Sequence, residues 1–302
     1  MRQYLENFVS RKQANIEKLL DAHRQAEEPL CKLKHISFFP DYEPNYSDIL
    51  LRNVYLLRYG VAYFAEYYRL YEKLFSSVLP ERGCYSLFSV GSGAHLDKVA
   101  AQFALRNCRP DVGLYYIGLD CVDWADEVES AKVIPCGELC IAALPERLQA
   151  DVVAFPKSIS ELDVDFLGAL ASSVVADRFV LAVSHSRKKG ETVSPEDESK
   201  VDFLLERLVN RGYRINHAGQ VPLEGESVFR NLECFPFVTQ SAAFSLVNEL
   251  DRYCCLRDDC PEQCALLVNK NPMTATTYFY DIFYLLENND AAPATANPYR
   301  LG

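Results

Sequence analysis

No stretch of this 302-residue chain approaches the roughly 20 consecutive apolar residues of a membrane-crossing helix, so no membrane span is expected. An apolar run at the N-terminus is also missing. Charged residues recur from Arg2 onward, which speaks against a secretory signal peptide. Basic residues are in short supply: 31 Lys and Arg stand against 42 Asp and Glu, a formal net charge of -11. Such a surface repels nucleic-acid phosphates unless basic side chains cluster locally, so autonomous nucleic-acid binding is disfavoured. The eleven cysteines are irregularly spaced and form no paired Cys-x2-Cys knuckle. In a long chain without a secretory leader, they read as reduced thiols and place the protein in the cytoplasm. Internal repeats are absent, and the chain holds a single tryptophan, Trp124.

What is present is ample material for a core. Hydrophobic residues make up 49% of the chain, enough for one large α/β domain with additions or for two small domains. Residues 3–25 carry Leu5, Phe8, Val9, Ile16, Leu19 and Leu20 at helical spacing. Two further helices are expected at 47–58 and 61–79, with Gly60 between them. Five tyrosines here stand four apart: Tyr55, Tyr59, Tyr63, Tyr67 and Tyr71. They form either a packed face whose hydroxyls find nearby partners or a flap with rings that stack on a base.

The stretch 84–124 organises the rest. A buried strand, Cys84-Tyr85-Ser86-Leu87-Phe88-Ser89-Val90, runs into Gly91-Ser92-Gly93-Ala94-His95. A helical run follows at 96–105. A second apolar strand, Leu114-Tyr115-Tyr116-Ile117-Gly118-Leu119, ends in Asp120. Strand, glycine turn, helix, strand, acid is the first half of a nucleotide-binding βαβ unit. Glycines let the backbone turn tightly against a ligand. N–H groups at a helix start face that ligand. A carboxylate at the end of the second strand can accept hydrogen bonds from two ribose hydroxyls.

This stretch resembles motif I and the acidic loop of class I S-adenosylmethionine (SAM)-dependent methyltransferases, whose pattern is acid-x-Gly-x-Gly-x-Gly. Ser89 stands at the acid and His95 at the third glycine. The resemblance implies a doubly wound α/β fold with a seven-stranded, mostly parallel sheet whose last strand is antiparallel. It implies SAM as cofactor, held by Ser89, Gly91, Gly93 and Asp120, with Trp124 against the adenine. Without the usual acid, backbone groups or another residue must hold the amino-acid end of SAM. The dinucleotide pattern Gly-x-Gly-x-x-Gly has Leu96 at its final glycine, which disfavours a nicotinamide-dependent oxidoreductase. The segment 55–68 is also similar to the Tyr-rich helix that precedes motif I in some ribosomal-RNA methyltransferases.

Further along, 132–135 reads as a short third strand and 151–155 as a fourth. Motif IV of the resembled family falls on Phe155-Pro156-Lys157-Ser158, which departs from the Asn/Asp-Pro-Pro-aromatic of many amino methyltransferases. Lys157 and Glu161 are candidates on the acceptor side, and Glu161 equally suits the start of the next helix. A helix at 163–175 and a fifth strand at 178–184 follow. His185, at that strand's end, is either a general base or a loop histidine. Ser194-Pro195 opens a helix, with Ser194 as its cap, that Gly212 closes. A sixth strand is expected at 213–221 and a seventh at 273–286. Cys254, Cys255, Cys260 and Cys264 could supply most of a structural zinc site or be buried free thiols.

The expected organisation is a helical region 1–80 packed on the core, a methyltransferase-like domain 81–287 with an insert at about 224–272, and a flexible tail 288–302. The expected function is methyl transfer from SAM to RNA or a small molecule. The alternative is a non-catalytic scaffold on the same fold, which binds a protein partner through its N-terminal helices and the aromatic insert.

Overall fold

The computed structural model describes residues 1–25, 46, 48–122, 124, 133–135, 141–185, 193–216, 227–229, 276–278 and 280–287. The chain divides into two compact units. One comprises Met1–Glu66 and Val228–Thr277, the other Tyr67–Ser227 and Tyr278–Gly302.

In the first unit, α1 (Arg2–Gln25) buries Leu5, Phe8, Val9, Ile16 and Leu20. Tyr4 meets Phe64 of α2 (Ile49–Lys73) at 5.7 Å between ring centres. Lys12 is fully enclosed, with its ammonium 5.6 Å from the Phe8 ring centre and 3.4 Å from Asn53 Oδ1. Asp48 caps α2 through bonds from the N–H groups of Leu50 and Leu51, 2.9 and 3.1 Å. Gly60 does not break the helix as expected: α2 runs through it without interruption. An interior glycine costs about 1 kcal/mol relative to alanine. Burial of Leu56, Leu57, Val61 and Phe64 around it offsets that cost. Tyr55, Tyr59 and Tyr63 are half-buried and contact one another, at 5.2 Å for Tyr55–Tyr59 and 5.5 Å for Tyr59–Tyr63.

The second unit is built on β1 (Cys84–Val90), β2 (Gly113–Asp120), β3 (Val133–Pro135), β4 (Val152–Pro156), β5 (Arg178–Ser184), β6 (Tyr213–Asn216) and a later strand, Tyr280–Glu287. With β7 (Ser227–Phe229) and β8 (Thr276–Tyr278) counted in chain order, that later strand is β9. The seven-stranded sheet has the order β3-β2-β1-β4-β5-β9-β6. Pairing is parallel from β3 to β5, and β9 runs antiparallel to both its neighbours. This is the mostly parallel sheet with an antiparallel last strand that was expected. One expectation changes. The run 273–286 is not one strand but contributes to two: β8 pairs with β7 in a separate two-stranded sheet, and β9 enters the main one.

Alternation along the strands sends residues to the two faces. Phe88, Val90, Phe155, Phe179, Leu181 and Val183 enter one core with α4 (Val164–Ser173) and α5 (Pro195–Asn210). Enclosing a side chain such as Phe155, at 0% exposure, stabilises by about 1.5–3 kcal/mol. The opposite face, with Tyr85, Leu87, Ser89 and Tyr116, carries α3 (Leu96–Cys108). Arg211 fastens the end of α4 by donating to the Ala171 and Val174 carbonyls. Ser194 stands at the N-cap of α5, but its side chain makes no capping bond. The expected tail and most of the expected insert lie outside the described residues. Among the described residues no helix is long and apolar enough to cross a membrane.

Candidate functional site

The chain reverses its direction of winding between β1 and β4, which are hydrogen-bonded neighbours. Crevices at such points, at the carboxyl ends of the strands, receive ligands in open α/β sheets. The glycine loop lies on one side of this point and the β4 loop on the other.

Gly91 (φ +66°) and Gly93 (φ +51°) both adopt left-handed backbone. His95 does so as well, at φ 55°. The residue in place of a third glycine therefore keeps a glycine-like backbone, and its ring is fully buried. The ring faces β2: a Cβ at Gly118 would meet His95 Cε1 at 2.6 Å and Ser92 Oγ at 2.7 Å. Gly118 is thus the complement of His95. Burial first, and then the Lys98 cation, lower the His95 pKa to about 4, so the ring is neutral. Ser92 Oγ and both His95 nitrogens are buried without a hydrogen-bond partner. A Cβ on Gly93 would meet nothing within 4 Å, so the loop faces open space there.

Asp120 closes on this loop. Its Oδ2 accepts the Gly93 N–H at 2.7 Å. Its Oδ1 accepts the Val122 N–H at 2.9 Å and the Trp124 indole N–H at 3.2 Å. The Cys121 N–H adds a further donor. Burial raises the Asp120 pKa, and these donors oppose the rise. A carboxylate offers about four acceptor positions. All are served by the protein, and the indole is the one side chain among the four donors. Trp124 itself is 4% exposed.

Ser89 is enclosed, and its hydroxyl donates to Asp97 Oδ2 at 2.6 Å. Tyr116 and Tyr71 donate to the same carboxylate at 2.8 and 3.3 Å. Burial raises the Asp97 pKa to about 6 despite these donors. A carboxylate thus stands behind Ser89, supplied from helix α3. Sequence reasoning missed Asp97, although a signal was there. It falls on the buried stripe of α3 with Ala100, Ala101 and Ala104, where an acid is out of place.

The two loops are joined. Ser158 Oγ donates to the Val90 carbonyl at 2.5 Å. A Cβ on Gly91 would fall 2.2 Å from Ser158 Cβ. Tyr67 donates to the Pro156 carbonyl at 3.2 Å.

The order β3-β2-β1-β4-β5-β9-β6, with β9 reversed and a glycine loop after β1, decides the architecture. The chain has the class I SAM-dependent methyltransferase fold. No protein-family model matches the chain, and no curated protein does. Among solved structures the chain is similar to the plantazolicin methyltransferase BpumL in complex with SAH, at 12% identity over 90% of this chain and 99% of that one, with a TM-score of 0.42. It is similar to a SAM-dependent methyltransferase from Aquifex aeolicus, at 19% identity over 51% and 89%, with a TM-score of 0.33. It is also similar to the [4+2]-cyclase SpnF, at 16% identity over 73% and 80%, with a TM-score of 0.36. These are likenesses only, and the strand order of the chain itself carries the methyltransferase fold.

On the β4 side of the crevice, Lys157 adopts left-handed backbone (φ 61°). Its ammonium donates to the His185 carbonyl at 3.0 Å, and its N–H donates to the Ser184 carbonyl at 2.9 Å. His185 is 1% exposed, between two carboxylates. Nε2 lies 2.9 Å from Asp281 Oδ2. Nδ1 lies 3.4 Å from Asp197 Oδ2, close enough for charge attraction though outside good hydrogen-bond geometry. Burial pushes the His185 pKa down, but the carboxylates outweigh it and the pKa is raised. The ring thus ties the end of β5 to α5 and β9. Glu161 is exposed, at the end of a short 3-10 turn, Ile159–Glu161, that precedes α4. Cys254, Cys255, Cys260 and Cys264 lie outside the described residues. Among the described residues, no group of His, Cys, Asp and Glu is arranged to hold a metal ion.

Proposed function

We propose that this protein transfers a methyl group from SAM to a small molecule or RNA. The observation that carries the reading is the bond from the Gly93 N–H to Asp120. It joins the glycine loop to the acid across open space at Gly93. The chain's residues fit the cofactor there. Gly91 and Gly93 would admit it closely, and Asp120 would accept from a ribose hydroxyl once the Trp124 N–H yields its acceptor position. The indole would then lie free to stack on the adenine. Ser92 Oγ and the His95 nitrogens, buried without hydrogen-bond partners, are the polar atoms of the loop left unsatisfied. When bound, SAM supplies a methyl group on a positively charged sulfur. The protein's part is to align the acceptor with it and to exclude water. Glu161, exposed near motif IV, is the residue we assign to accepting a proton from the acceptor. Lys157 and His185 hold the ends of β4 and β5 in place. The exposed thiol of Cys84, outside any disulfide, supports a reducing cytoplasmic setting.

The test uses the only tryptophan in the chain. Addition of SAH to the full chain is expected to shift Trp124 emission. Asp120→Ala is expected to weaken SAH at least about tenfold in calorimetry, the size of a lost charge-assisted contact. If neither SAH nor SAM binds, the enzymatic reading fails. Labelled methyl recovered in RNA or in low-mass product then identifies the acceptor.

The engaged state of His185 favours a second reading, a scaffold on the methyltransferase fold that lost its chemistry. Binding of SAH without turnover on any fraction would favour it.

A further inference from the structure

A cavity of about 660 Å³ opens at the amino-terminal edge of the sheet, away from the glycine loop. Arg82, Ser86, Asp151, Asp177, Arg178 and Arg214 line it. Its balance is three arginines to two aspartates, in a chain whose net charge is -11. One pair is settled. Asp151 Oδ1 accepts from Arg82 at 2.5 Å, and Oδ2 accepts from the Ser86 N–H and Oγ at 2.8 and 2.9 Å. Arg178 and Arg214 are different. Both are exposed, and among the described residues neither side chain has a hydrogen bond or ion pair, with Asp177 or any other group.

The strand register fixes their relation. Arg178 of β5 lies opposite Leu286 of β9, and Leu286 lies opposite Arg214 of β6. Directly opposed residues in antiparallel ladders project to the same side. The two arginines therefore rise from one side of the sheet, two strand spacings apart, about 9–10 Å at their bases. Long side chains at that separation can converge, and a planar guanidinium presents two parallel donors to a phosphate. The cavity exceeds what a bare phosphate needs and falls within the roughly 300–1,000 Å³ of small-molecule sites. Leu286, between the arginines, offers an apolar patch to the rest of such a ligand.

We propose that this cavity binds a small phosphate monoester, with the phosphate gripped by Arg178 and Arg214 and the organic body over Leu286. The site stands apart from the glycine loop, so its ligand and SAH bind without competing. Calorimetry on the full chain with inorganic phosphate and with ribose 5-phosphate tests it. Both are expected to bind, the sugar phosphate more tightly, and more weakly as salt rises. The R178Q/R214Q double variant is expected to lose at least about tenfold, with thermal midpoint and SAH affinity unchanged. The R178K/R214K variant is expected to fall between, because charge remains while the two-pronged geometry goes. Equal affinity for both probes would assign free phosphate as the occupant of the same site. Binding unaltered by the double variant, or no heat from either probe up to about 10 mM, the weak end of specific association, would overturn the proposal.

Discussion

Around the glycine loop, three buried polar atoms, Ser92 Oγ and the two His95 nitrogens, have no hydrogen-bond partner. Across the same edge, after β4 and β5, Lys157 holds a carbonyl and His185 lies between Asp197 and Asp281, although His185 Nδ1 is likewise buried without a hydrogen bond. Buried polar groups are ordinarily satisfied, and those that are not call for an explanation. The contrast separates a half arranged to receive something from a half arranged to hold strands together. Strained backbone does not discriminate between them, since His95 and Lys157 both sit at positive φ. The charge beside each ring does: His185 Nδ1 has the Asp197 carboxylate at 3.4 Å, whereas the His95 ring has the Lys98 cation near it.

The contrast can be broken most directly at Gly91. Gly91→Ala forces left-handed backbone on a residue with a Cβ and drives that Cβ into Ser158, 2.2 Å away. A loss of about 2–5 kcal/mol is expected from the two effects together, measured by urea unfolding, with SAH binding lost. Ordinary stability with intact binding would mean that the two loops are not joined as described.

A smaller effect is expected from pH at Asp97. Its pKa of about 6 in the folded chain lies above the ordinary value of 3.8, so between these pH values the folded state holds a proton that the unfolded state does not. Stability from this group is complete below the lower value and is lost as pH rises through the upper one. The loss amounts to at most about 3 kcal/mol. Asp97→Asn should flatten the curve between about pH 4 and 6 relative to the parent. A parallel pair of curves would show that Asp97 does not titrate as its burial implies.

The least change in cofactor affinity is expected on the other half. His185→Gln should leave SAH binding within about twofold, because the ring serves strand ends and not the loop. It should still lower stability below neutral pH, where the charged ring meets its two carboxylates. A large loss of SAH affinity would place His185 in the cofactor half after all.

Much of the fold and of the glycine-loop half is legible in the amino-acid order. The continuous apolar runs that form β1, β2, β4 and β5 are the mark of strands covered on both faces. The glycines after Val90 and the acid after Leu119 can be placed from pattern alone. What stays hidden is long-range. Gly118 looks like a routine strand residue until His95 is found against it. Asp281 looks like a surface acid in an aromatic strand until antiparallel pairing brings it opposite Val183, two residues from His185. Gly60 misleads because local preference favours a break, while burial on both sides holds the helix together. Trp124 can be placed near the acid, but its donation to that acid depends on side-chain orientation, which no spacing encodes.

The stitch between Ser158 and Val90 has a consequence for motion. The backbone segments that flank the crevice are clamped to each other at their narrowest approach, so neither can open like a jaw while the other stays still. Distances across that span are built in during folding and not assembled on ligand arrival. On the proposed function, entry and exit then fall to peripheral groups such as the indole, and turnover should be paced by their rearrangement.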